Sequence, residues 1–86
     1  MHPLKKLILE RMNGQNYKNF GILCWEAEMN GGACNALDRM GLKHFDVAVI
    51  GLVTDAEFLD IKGIGRSTVR EYRRAYQYYE RRYFSA

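Results

Sequence analysis

The residues best suited to chemistry form one run, Lys62-Gly63-Ile64-Gly65-Arg66-Ser67-Thr68. Two glycines flanking a single apolar residue let the backbone take positive φ on either side of Ile64, whose side chain then turns inward as a plug. With Gly65 as the N-cap of a following helix, the amides of Arg66, Ser67 and Thr68 are among the donors that a helix cannot satisfy internally. They lie at the positive end of its dipole. Such a cradle binds anions, phosphate above all. Basic side chains extend it, because Lys62 precedes the turn and Arg66, Arg70, Arg73, Arg74, Gln77 and Arg81 fall along one stripe of a helix spanning about 66–83. Arginines three and four apart repel one another, and an anionic partner relieves that repulsion.

No comparable set points to catalysis. The acids nearest the run are Asp55, Glu57 and Asp60. Glu57 is committed to capping and the other two read as solvent-facing, so neither a nucleophile with its base nor an open metal site is present, and no catalytic residue is expected. Cys24 and Cys34 stand ten positions apart, and with His2 and His44 they match no zinc spacing. Both read as reduced and mostly buried. No metal or cofactor is expected.

The elements that must position the run follow from periodicity. Pro3 suits a first helical turn, and Leu4, Leu7, Ile8 and Met12 recur at helical spacing, giving a helix over 3–13 that stops at Gly14. After the polar break Asn13-Gly14-Gln15-Asn16, the spacing predicts a helix over 17–29. Tyr17, Phe20, Cys24 and Ala27 make one apolar face, and Ile22, Trp25 and Met29 make another. Two apolar faces mean a helix sandwiched between neighbours, or one whose second face meets a partner; a small domain favours the sandwich. Gly31-Gly32 ends it. A short helix over 33–40 closes at Gly41 with Leu37 and Met40 inward. Residues 45–50 fit a strand as well as a helix, and the helical context selects helix. Thr54 and Glu57 form a capping box for a helix over 55–61, with Val53 stapled to Phe58. In the last helix Val69, Tyr72, Tyr76, Tyr79 and Tyr83 form the inward seam, a spacing that argues for core rather than for a platform stacking unpaired bases, and Tyr78 alone lies off it as the best candidate for an exposed ring.

At 86 residues the chain makes one all-α domain of about five helices, with 1–30 as an N-terminal helical extension of 31–86. Residues 1–61 carry six Lys/Arg against eight Asp/Glu, whereas 62–86 carry seven against two. The overall +3 is thus a basic end on a mildly acidic body, the asymmetry of a polyanion binder. The longest apolar run, Val47 to Val53, is too short to span a bilayer, and no signal-peptide core precedes Glu10. No membrane association is expected, and a cytoplasmic location is.

The run Lys62-Gly63-Ile64-Gly65-Arg66-Ser67 resembles the helix-hairpin-helix family, which implies contact with the DNA sugar-phosphate backbone with little sequence preference. From Ala33 onward the order of elements is similar to the C-terminal domain of the bacterial RNA polymerase α subunit. Asn35-Ala36-Leu37, Gly41-Leu42, Thr54-Asp55-Ala56-Glu57 and the glycine hairpin match in order. That resemblance implies a groove-reading asparagine at Asn35 and phosphate contacts at Ser67 and Thr68; where the family has its groove-inserted arginine this chain has Gly32. The expected function is DNA backbone binding through Asn35, Lys62, Gly63, Gly65, Arg66, Ser67, Thr68, Arg70, Arg73 and Arg74, in an accessory or regulatory protein of transcription or DNA metabolism. The alternative is a protein-interaction module contacting transcription or repair machinery through Ile22, Trp25 and Met29 or the arginine stripe.

Overall fold

The structure, a computed structural model, describes residues 1–14 and 16–84. Gln15 of the expected polar break lies outside them. Among the described residues there are four α-helices, α1 (Pro3–Gly14), α2 (Gly31–Arg39), α3 (Asp55–Leu59) and α4 (Arg66–Phe84), and a 3₁₀ helix at Val47–Leu52, and there is no strand. The fold is all-α. No described helix is long and apolar enough to cross a membrane.

The 3₁₀ helix sits in the middle because it is apolar on every side. Val47, Ala48, Val49 and Ile50 are all buried, α1 and α4 pack on it, and α4 also covers α2 and α3. That enclosure explains why the segment's sequence shows neither helical nor alternating periodicity. Gly51 is required where it stands: an added Cβ would come within 2.6 Å of the Tyr76 ring on α4. Leu4 and Ile8 of α1 join Phe58, Ile64, Val69 and Tyr72 in one buried cluster, so the N-terminal helix shares the core.

Local signals place the helix ends. The His2 ring Nδ1 accepts from the Leu4 amide (3.0 Å) at the start of α1. Asn30 caps α2, its side chain accepting from the Ala33 amide at 2.9 Å. Gly31 and Gly32, expected as a break, therefore form the first turn of α2. Gly41, at φ +77°, ends it. The capping box on α3 is present, with Thr54 N–H donating to Glu57 Oε1 at 2.9 Å and Glu57 N–H to Thr54 Oγ1 at 3.2 Å. Glu57 also takes a bidentate pair from Arg11, both contacts at 2.7 Å, which ties α1 to α3. The Arg11 guanidinium and the Thr54 amide hold the Glu57 carboxyl down at about 2.

The expected helix over 17–29 is absent; this stretch is irregular. The reason is Asp46. Its buried carboxylate accepts from the amides of Phe20 (3.0 Å), Gly21 (2.7 Å), Ile22 (3.0 Å) and Ala48 (2.9 Å). Cys24 and Trp25 donate to the carbonyls of Phe45 and Lys43, and Val47 donates to that of Ile22. These amides are unavailable to an i−4 ladder, and hydrogen bonds to a buried charge outweigh weak helix propensity. The second apolar face dissolves with the helix: Ile22 and Met29 lie half-buried against the core, and only Trp25 stands out, 57% exposed.

Removing the carboxylate leaves four amides without their acceptor. Asp46→Ala should lower unfolding stability by about 3–5 kcal/mol, read by urea denaturation, with Asp46→Asn intermediate.

Candidate nucleic-acid interface

The glycine run forms a tight turn between α3 and α4. Ile64 is buried in the core cluster, as the plug expectation requires. Gly63 takes φ +89°, whereas Gly65 does not take positive φ. This corrects the expectation of left-handed backbone on both sides of Ile64. Gly65 is the residue before the helix, its carbonyl accepting the first helical bond from Val69 N–H at 3.1 Å, and a capping residue adopts extended backbone. The amides of Arg66, Ser67 and Thr68 precede that bond and head the 19-residue α4. Apart from the adjoining residues of the chain, no heavy atom lies within 4 Å of where a Cβ would stand at Gly63 or Gly65. The approach to those amides is open.

Lys62, Arg66, Ser67 and Arg70 are exposed around this turn, and Thr68 is half-buried. Among the described residues, none of Lys62, Arg66 and Arg70 has an ion-pair partner. Arg66 and Arg70 line an open groove of about 420 Å³ with Leu59 and Val69. Its one carboxylate, Asp55, is engaged by Arg73 at 2.6 Å.

Arg73, expected on the outward stripe but half-buried, and Arg74, exposed on that stripe as expected, both direct guanidinium donors to acceptors of this chain. Arg73 donates from Nε to Asp55, from Nη1 to the Ile50 carbonyl at 2.9 Å and from Nη2 to the Val53 carbonyl, with its guanidinium 5.5 Å from the Phe58 ring centre. It thus closes the end of the 3₁₀ helix against the start of α3. Arg74 donates to both oxygens of Glu71 (2.7 and 2.9 Å) and to the Glu28 carbonyl (2.7 Å). Glu71 in turn accepts from the Asn30 amide at 2.8 Å, and these two donors hold its carboxyl below the usual range. Internal acceptors, rather than an external anion, relieve the crowding of these arginines.

Asn35 is exposed on α2 and lines a different depression, beside Trp25, Cys34 and Lys43. The hairpin residues and Asn35 are therefore not gathered into one groove. Cys24 is buried and Cys34 half-buried, both as free thiols, and burial pushes the Cys24 thiol up to about 12, which leaves it protonated and unreactive. Among the described residues no three His, Cys, Asp or Glu side chains cluster as metal ligands.

Compared with protein-family models, curated proteins and solved structures, the chain matches none.

The two kinds of arginine on α4 separate by mutation. Arg73→Ala strands two backbone carbonyls and should cost about 1–3 kcal/mol of stability, whereas Arg70→Ala should stay within about 0.5 kcal/mol of the parent in the same denaturant titration.

Proposed function

We propose that this chain is a small DNA-binding protein that grips the phosphate backbone of a duplex through a helix-hairpin-helix, with little sequence preference. The observation that carries the reading is the coincidence at one turn of helix amides that precede the first helical bond, an unobstructed glycine approach and three cations without ion-pair partners among the described residues, Lys62, Arg66 and Arg70. A phosphate seated there accepts from the amides of Arg66 to Thr68 and from the Ser67 hydroxyl, while the flanking cations hold its neighbours. The resemblance to the polymerase α C-terminal domain extends the proposal to a cytoplasmic accessory or regulatory role in transcription or DNA metabolism. Asn35, in its separate depression, adds a contact only for a duplex that also reaches α2. Backbone contact at the hairpin is the part of the reading with geometric support.

A second reading, contact with a protein of the same machinery, draws on the exposed indole of Trp25. Exposed Trp is a favoured anchor at protein interfaces.

Fluorescence anisotropy with a labelled duplex tests the first reading. Three neutralised phosphates predict a log K against log salt slope of about −3, reduced by about one in Arg70→Gln. Gly65→Val meets no atom beyond its chain neighbours and needs no positive φ, so it should cost about 1 kcal/mol as a poorer N-cap and keep the fold, while weakening duplex binding about tenfold or more by blocking the phosphate. Binding indifferent to salt, or unaffected by Gly65→Val, contradicts the proposal.

A further inference from the structure

The far end of α4 carries a different surface. Phe20, Tyr78 and Tyr83 line an open cleft of about 480 Å³ with Glu28 and Arg82. Tyr72 and Tyr79 of the same helix are buried, but Tyr78 is 39% exposed and Tyr83, expected on the inward seam, is 42% exposed. Phe20 lies 5.6 Å from Tyr83 by ring centres, which brings a ring of the irregular segment to the helix. The Arg82 guanidinium sits 5.3 Å from the centre of the Tyr78 ring and donates to its hydroxyl at 2.6 Å. Glu28 is pinned by its backbone at both ends: its amide donates to the Tyr79 hydroxyl at 2.8 Å and its carbonyl accepts from Arg74 at 2.7 Å. Its exposed carboxylate accepts no hydrogen bond from the described residues, though it lies within electrostatic reach of the Arg74 guanidinium.

We propose that this cleft binds one unpaired guanine base of a single-stranded nucleic acid. Tyr78 meets the Tyr79 ring edge-on at 4.9 Å with Arg82 over it, and its exposed part is the surface on which a base stacks. The Glu28 carboxylate is an acceptor with two oxygens, and guanine alone among the four DNA bases presents two adjacent donors, N1–H and the N2 amine, on its pairing edge. Arg82 and the exposed Arg81 place positive charge where the flanking phosphates run. An apolar peptide segment would strip water from Glu28 and Arg82 without replacing it, and an isolated phosphate would leave the rings unused. From Arg66 to Arg82 the helix rises about 24 Å, so the cleft is distinct from the hairpin and the inference stands whether or not the hairpin binds duplex.

Anisotropy with labelled d(TTGTT), d(TTTTT) and the inosine oligonucleotide d(TTITT) tests it. The guanine strand should bind at least about fivefold tighter than the thymine strand, with inosine, which lacks the N2 amine, between them. Tyr78→Ala should weaken d(TTGTT) about five- to tenfold through lost stacking. Glu28→Ala, with Glu28→Gln as the size-preserving check, should erase the guanine preference and leave d(TTTTT) unchanged. Both side chains are exposed, and circular dichroism verifies the fold of each variant. The double variant Arg66→Gln, Arg70→Gln should lose duplex affinity and keep the guanine preference. Equal affinity for the guanine and thymine strands, or a preference that survives loss of the Glu28 carboxylate, overturns the proposal.

Discussion

The Asp46 carboxylate is the constraint on which the rest of the molecule depends. One buried anion gathers amides from Phe20, Gly21, Ile22 and Ala48, so it caps the 3₁₀ helix and anchors the irregular segment at once. A lone buried charge is costly unless its lone pairs are used, and here four donors use them. With the segment held, the 3₁₀ helix lies enclosed between α1 and α4, and Gly51 lets the Tyr76 ring close over it. The register of α4 against the core, and with it the direction in which each arginine points, follows from that packing.

The consequence for charge is a division of labour along one helix. Arg73 and Arg74 have acceptors on other elements, including the carbonyls of Ile50, Val53 and Glu28, and they fasten α4 to its neighbours. Arg66 and Arg70 have none among the described residues, and they stand with Lys62 at the glycine turn. A helix that is strongly basic by composition is therefore only partly basic to an approaching polyanion. Exposed arginines remain near the two ends of the helix, Arg66 and Arg70 at one and Arg81 and Arg82 at the other.

Much of this was legible in the sequence where short-range rules decide. The first helix, the Gly41 stop, the Thr54–Glu57 box and the inward Ile64 each rest on residues within a few positions of one another, and local chemistry there agrees with the fold. The segment 17–29 misled because its apolar spacing is helical, while the group that claims its amides lies about 25 positions away. Arg73 misled for the same reason, since a stripe at helical spacing does not reveal carbonyls 20 and 23 positions earlier. The signal that was available for the first case is an isolated acid, Asp46, bordering the longest apolar run, which asks for buried partners. Gly51 inside that run carried a second signal, of close approach by another element.

In the proposed function the open turn at the head of α4 is the surface that meets duplex DNA. The direct measurement is ¹H–¹⁵N chemical-shift mapping on titration with a short duplex at low salt. Large, saturable shifts at the amides of Gly63 to Arg70, with Asp46-bound amides and the Trp25 region unmoved, are the predicted result. Shifts centred on Trp25, Asn35 and Lys43, with the hairpin amides silent, would contradict it.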